Sequence, residues 1–248
     1  MEESPALDWY QAVEVVNPYV VKISTPRGFG TGFLIARSKT DAFCAIATAA
    51  HVVDFAHYWE EPIRIDHPSS RKSTIVRQGQ RAIFLDPARD TAAILFNRGD
   101  IPLPDKMLPL GPNKMVLKVG IEIGWLGFPA IAGADLCFFS GRVSSWVQAQ
   151  EAYLVDGVAV NGVSGGPAFH LDRKLVILMG VVSAYAPNRA TGETLPGLGV
   201  IRNVTQFHEL APTFESLDQA ISQQTPPSVP PSPPPKHEEG VQTIKRNP

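Results

Sequence analysis

The 248-residue chain carries 22 basic and 24 acidic side chains and is 44% hydrophobic, a globular composition with length for one sizeable domain or two fused small ones. A net charge of −2 supplies no long-range positive field, which excludes a protein built to gather nucleic acid. No stretch approaches the roughly 18 apolar residues of a membrane span, so no membrane partner is expected.

The start, MEESPALDWYQ, opens on acids and lacks both a basic region and an apolar run. It therefore predicts no secretory leader and a cytoplasmic location. A short helix fits residues 8–16 within a lead segment, 1–17. Strands follow at VVKIS (20–24), TGFLIA (31–36), AFCAIATA (42–49), RAIFL (81–85) and AAILF (92–96). IPLPDKMLPLGPNK (101–114) holds four prolines and reads as the connection between two β-halves. Further strands are VGIEIGWLG (119–127), LCFFSGRVSS (136–145), AYLVDGVAV (152–160), KLVILMGVVSAY (174–185) and LGVIRN (198–203). Many short strands separated by turn residues point to sandwiches or barrels rather than βαβ units. Phe214, Leu217 and Ile221 at i, i+3 and i+7 predict an amphipathic helix over 212–222. From 225 to 248 the proline-rich chain has too little apolar content to offset ordering entropy and reads as a disordered tail. Cys44 and Cys137 sit far apart in apolar runs and read as reduced core residues.

The stretch VNGVSGGPAF (160–169) crowds Gly162, Gly165, Gly166 and Pro167 around Ser164. It satisfies both G-x-S-x-G, a strand-to-helix nucleophile elbow, and G-x-S-G-G-P, a serine loop between strands. Gly165-Gly166-Pro167 is a poor helix start, and AFHL resumes a strand-like pattern, which favours the second. No lysine follows as a phosphate loop requires, and GFGTG (28–32) lacks the βαβ context of a dinucleotide site. Upstream, His51 closes the apolar run in TAAHVV (48–53), and Asp90 opens another in RDTAAILF (89–96). Asp86, four residues earlier, is the rival carboxylate. The other histidines form no metal-ligand spacing, so neither a metal nor a cofactor is expected.

The order His51, Asp90, Ser164, with GFGTGFLIA, ATAAHVV, RDTAAILF, GWLGFP, SGRVSS, GVSGGPAF, GVVSAY and GLGVIRNV in sequence, resembles trypsin-like (chymotrypsin-fold) serine peptidases. The likeness covers roughly residues 20–205 and is closest in style to the bacterial Do-like branch without a PDZ domain. It implies an all-β peptidase domain over 18–224 made of two antiparallel six-stranded barrels. These would span about 18–105 and 106–205, with the site in the cleft between them. It further implies Ser164 as nucleophile, His51 as base and acid, Asp90 as its orienting carboxylate, and the Gly162 and Ser164 amides as an oxyanion hole. The pocket floor falls on Val158, with Asp156 two residues away as the alternative register. Ser183, Ala184, Tyr185 and Gly199 fall on its walls. Valine at 158 and a bulky Tyr185 predict cleavage after small or medium apolar residues of a protein or peptide substrate. Val163 stands where secreted relatives carry an aspartate that pairs with a newly cut N-terminus, so activation by trimming is not expected. A different class of function is a silent scaffold on the same fold, docking a proline-motif reader through 226–235; the same stretch also reads as a solvated spacer.

Overall fold

Alternating apolar side chains and frequent turn residues put most of the chain into antiparallel strands. The computed structural model describes residues 7–113, 115–187 and 194–224. The first half holds β1 (Val20–Thr25), β2 (Gly28–Arg37), β3 (Phe43–Thr48), β4 (Ile63–His67), β5 (Lys72–Val76), β6 (Arg81–Asp86) and β7 (Thr91–Asn97). The second holds β8 (Glu122–Gly127), β9 (Cys137–Val147), β10 (Ala152–Val155), β11 (Pro167–Asp172), β12 (Leu175–Pro187) and β13 (Thr194–Asn203). Three α-helices accompany them among the described residues: α1 (Trp9–Val16), α2 (Ala50–Tyr58) and α3 (Leu210–Gln224). The predicted proline-rich tail lies outside the described residues.

The expectation of two closed six-stranded barrels is corrected. The second half closes as β10-β13-β12-β11-β8-β9, but the first is an open seven-stranded sheet in the order β5-β4-β1-β2-β3-β7-β6. Its two edges are β5 and β6, and no ladder joins them. Arg81 on β6 reaches across instead: its guanidinium donates to the carbonyls of Val76 on β5 at 2.8 Å, Ala56 at 2.8 Å and Glu61 at 2.7 Å. One side chain thus satisfies the last carbonyl of β5 and two carbonyls from α2 and the loop after it.

The additional hairpin β4–β5 was hidden by its charges. In IRIDH, Ile63 and Ile65 point inward between Arg64 and Asp66, while KSTIV is mostly exposed. Helix α2 was also unread, because Val52 and Val53 extend the preceding β-like run. At the other extreme, β3 and β7 are buried along nearly their whole length, matching their near-continuous apolar sequences. Expected strand 152–160 ends at Val155, where the chain enters the irregular serine segment.

Helix α1 starts on a capping box: the Asp8 carboxylate accepts from the Gln11 amide at 2.8 Å, and the Gln11 side chain accepts from the Asp8 amide at 3.1 Å. Trp9 packs on Phe138 and Phe169 with ring centroids 5.5 and 6.0 Å apart, so α1 lies on the second half. Helix α3 buries Leu210 and Phe214 in the core. The Asp218 carboxylate accepts from the Lys39 amide and the Thr40 hydroxyl, each at 2.7 Å, which ties α3 to the turn after β2.

Phe33, on β2, is fully buried in the larger apolar cluster. Phe33→Ala is expected to lower unfolding free energy by about 3–5 kcal/mol in urea titration, through lost burial plus a residual cavity.

Candidate active site

His51 is the second residue of α2, and Asp90 occupies the turn before β7. The His51 ring Nδ1 lies 2.9 and 3.0 Å from the two Asp90 carboxylate oxygens. The His51 backbone amide donates to Asp90 Oδ1 at 3.1 Å. One carboxylate therefore orients the ring and satisfies an orphan donor at the helix start, where no N-cap side chain is bonded. Ser183 on β12 also donates its hydroxyl to Asp90 Oδ2.

These contacts set the charges. Hydrogen bonding to Asp90 raises the His51 pKa; burial opposes the rise, and the charges of Asp90 and Asp54 add to it. Burial alone would raise the Asp90 carboxyl, but hydrogen bonds from His51 and Ser183 outweigh it and hold it below its ordinary range. The rival Asp86 turns elsewhere, bonding the Arg89 amide at 3.1 Å and guanidinium at 2.8 Å.

Ser164 sits in the turn between β10 and β11 and lines one cleft with His51 and Gly162. Its hydroxyl donates to the Ser183 carbonyl at 3.1 Å. No hydrogen bond joins Ser164 to His51 among the described residues. The glycines follow from crowding. Gly162 has φ +93, and a Cβ there would meet the Phe128 carbonyl and the Phe29 ring. Gly165 has φ +89, and a Cβ would meet the Thr31 carbonyl and Thr48 hydroxyl. Asn161 O accepts from the Ala130 amide at 2.8 Å. The peptide is trans, so the Gly162 N–H points away from Ala130. Among the described residues neither the Gly162 nor the Ser164 amide donates to an acceptor.

The remaining candidates divide. Val158 is 48% exposed on an irregular segment, and Ser183 is buried with its side chain on Asp90. Tyr185 and Ala184 pair with Gly199 and Val200 through the backbone of β12 and β13. The side chains of Ala184 and Tyr185 lie outside the described part. Asp156 is turned to the Arg142 amide.

Sequence reasoning missed Thr31. This fully buried residue of β2 donates its amide to Ser164 O at 2.8 Å and its hydroxyl to Gly162 O at 2.8 Å. The same hydroxyl accepts from the Phe128 amide at 3.0 Å, and the Thr31 carbonyl accepts from the Thr48 hydroxyl at 2.7 Å. Only its place between Gly30 and Gly32 hinted at a close approach.

The family model for the trypsin-like peptidase domain matches residues 30–177. No curated protein sequence matches the chain. Among solved structures, the serine endoprotease from Yersinia pestis is similar at 19% identity and TM-score 0.59, over 86% of this chain and 68% of that one. Rv3671c from M. tuberculosis, in an inactive form, is similar at 20% identity and TM-score 0.57, over 87% and 97%. Deg5 is similar at 19% identity and TM-score 0.59, over 83% and 95%. At these identities the likeness is one of fold.

The comparisons overturn the cytoplasmic placement. The similar chains are Do-type proteases, a family normally secreted, membrane-associated or periplasmic. The cysteines never carried compartment information. Burial pushes the Cys44 thiol up to about 12, which suppresses its thiolate form, and both Cys44 and Cys137 are free. Among the described residues no helix is long and apolar enough to cross a membrane.

Thr31→Val strips the partner from two buried backbone groups and is expected to cost about 1–3 kcal/mol in urea unfolding. Thr31→Ser keeps the hydroxyl and should stay within about 1 kcal/mol of the parent, the scale of one buried methyl group.

Proposed function

Because the chain belongs to the trypsin-like peptidase family, with the fold of Do-type serine proteases and no PDZ-like body among the described residues, we propose that it is a serine endopeptidase using Ser164, His51 and Asp90. The observation that carries this reading is the His51 ring, held at Nδ1 by Asp90 at 2.9 Å, in the same cleft as Ser164. With the Nδ1 proton on the carboxylate side, Nε2 is the free base. Ser164 Oγ attacks the scissile carbonyl as its proton passes to Nε2. The C–N bond then breaks while that proton is delivered to the leaving amine, and water repeats the sequence on the acyl-enzyme. The Gly162 and Ser164 amides, both without an acceptor, suit the developing oxyanion, each worth on the order of 3 kcal/mol.

A silent scaffold is the second reading. It is favoured by one contact, the Ser164 hydroxyl resting on the Ser183 carbonyl rather than on His51. Rotation about the single Cα–Cβ bond redirects this hydroxyl without moving the backbone, and such contacts are often loose before substrate binds. A fluorophosphonate probe separates the readings. Labelling of the native protein that Ser164→Ala removes supports the peptidase; a folded protein that takes no label supports the scaffold.

Asp90→Asn is expected to lower kcat about 10⁴-fold with the unfolding transition retained, by the behaviour of the serine-protease triad. A loss below about tenfold would reassign the orienting carboxylate. The base must be neutral to act, and its pKa is raised by Asp90, so kcat/KM should climb with pH along an acid limb centred above 6.5. A limb at or below that value contradicts the His51 assignment.

Selectivity at the residue before the scissile bond follows from valine at 158, which offers no charge for Arg or Lys. Peptides with Ala or Val there should exceed the Arg analogue in kcat/KM; clear Arg preference defeats this and returns attention to Asp156.

A further inference from the structure

The cleft holding Ser164 and His51 has a second arm, which resting on the peptidase reading alone leaves unexplained. The whole cleft encloses about 380 Å³, and the arm continues from the reacting residues to Arg27, Phe29, Phe55 and Ala130. Among the described side chains, neither Val158 nor Ser183 lines it, and Gly199 does not either. The acyl half of a peptide belongs to those walls, so this arm lies where the leaving half must pass.

Its charge is one-sided. The Arg27 guanidinium lies 3.9 Å above the centre of the Phe55 ring, a contact that holds a long side chain in place. Among the described residues the guanidinium has neither a carboxylate nor a hydrogen-bond acceptor. Lys22 stands 4.3 Å over the Phe29 ring and donates to Gly133 O at 3.0 Å, adding a second cation behind the same wall. The two carboxylates whose charge reaches His51 are engaged: Asp90 holds the ring, and Asp54 accepts from the Phe55 amide. A guanidinium held flat by an aromatic ring keeps its edge free for a planar carboxylate.

We propose that this arm is a subsite for an acidic side chain, Asp or Glu, in the leaving portion of the peptide, with Arg27 as its specificity-determining residue. The proposal rests on the peptidase reading and narrows its substrate class.

The test is a set of peptides with one acyl sequence and Glu, Gln or Lys at each of the first three positions after the scissile bond. At one position Glu should exceed Lys by about 5- to 10-fold in kcat/KM, the scale of a partly exposed ion pair, and the gap should shrink at high salt. Arg27→Gln should reduce that ratio to below about twofold, and Arg27→Glu should invert it. Equal rates for Glu and Lys at all three positions, in a protein that cleaves, overturn the subsite alone. So does a ratio that survives Arg27→Gln. If no peptide is cut and Ser164 takes no fluorophosphonate, the peptidase reading falls and the subsite falls with it.

Discussion

The hydrogen bonds at Thr31 decide how the two halves of the chain meet. Its amide and hydroxyl, from the first half, hold the carbonyls of Ser164 and Gly162 in the second, while the hydroxyl also receives the Phe128 amide. Thr31, Gly162 and Phe128 are buried and Ser164 is half-buried, and at buried groups an unmade bond costs far more than a made one contributes. The serine segment consequently cannot drift relative to β2 without exposing several unsatisfied groups at once. Small residues make the approach feasible. A Cβ on Gly30 would lie 2.9 Å from Ser164 O, and one on Gly127 would lie 2.7 Å from Val163.

Asp90 plays the matching part on the other side of the cleft. It sits at φ +49, a left-handed conformation that Asp tolerates better than a branched residue. From there its two oxygens serve the His51 ring, the His51 amide and the Ser183 hydroxyl. The last contact crosses from the first half to β12. Ring orientation, helix start and inter-half register thus share one carboxylate, which explains why its charge is kept despite burial: three donors outweigh the desolvation.

The legible parts of the sequence were those whose signal is local. A serine in a glycine cluster, a histidine closing an apolar run and an aspartate opening one can each be read within ten residues, and their order favoured strands over an elbow. Most strands of the second half were legible in the same way, whereas barrel closure came from the family resemblance and not from any strand's own sequence. Three features were not. The β4–β5 hairpin hides its alternation behind Arg64, Asp66 and Lys72, so the first sheet was taken as smaller and closed. Helix α2 carries the β-branched Val52 and Val53 in its first turn, and its start is stabilised by Asp90, a residue 39 positions away. Thr31 and Ser183 act through partners over 90 residues distant, which no local pattern encodes. Long-range hydrogen bonds of this kind are properties of the fold rather than of any window of sequence.

The residue before Ser164 holds its segment without a charge. Val163 is fully buried and packs in the second apolar cluster, with its amide on Val160 O at 3.1 Å. A carboxylate at that place would need a cationic partner to offset its desolvation, and the serine segment would then be ordered only when that partner arrived. Valine needs no partner. Its side chain, the Thr31 hydroxyl and the positive φ of Gly162 and Gly165 fix the same backbone by packing and neutral hydrogen bonds. This backbone is therefore held without a buried ion pair. What remains adjustable is the cleft beyond it, where Arg27 and Phe55 stand at the rim rather than in the core.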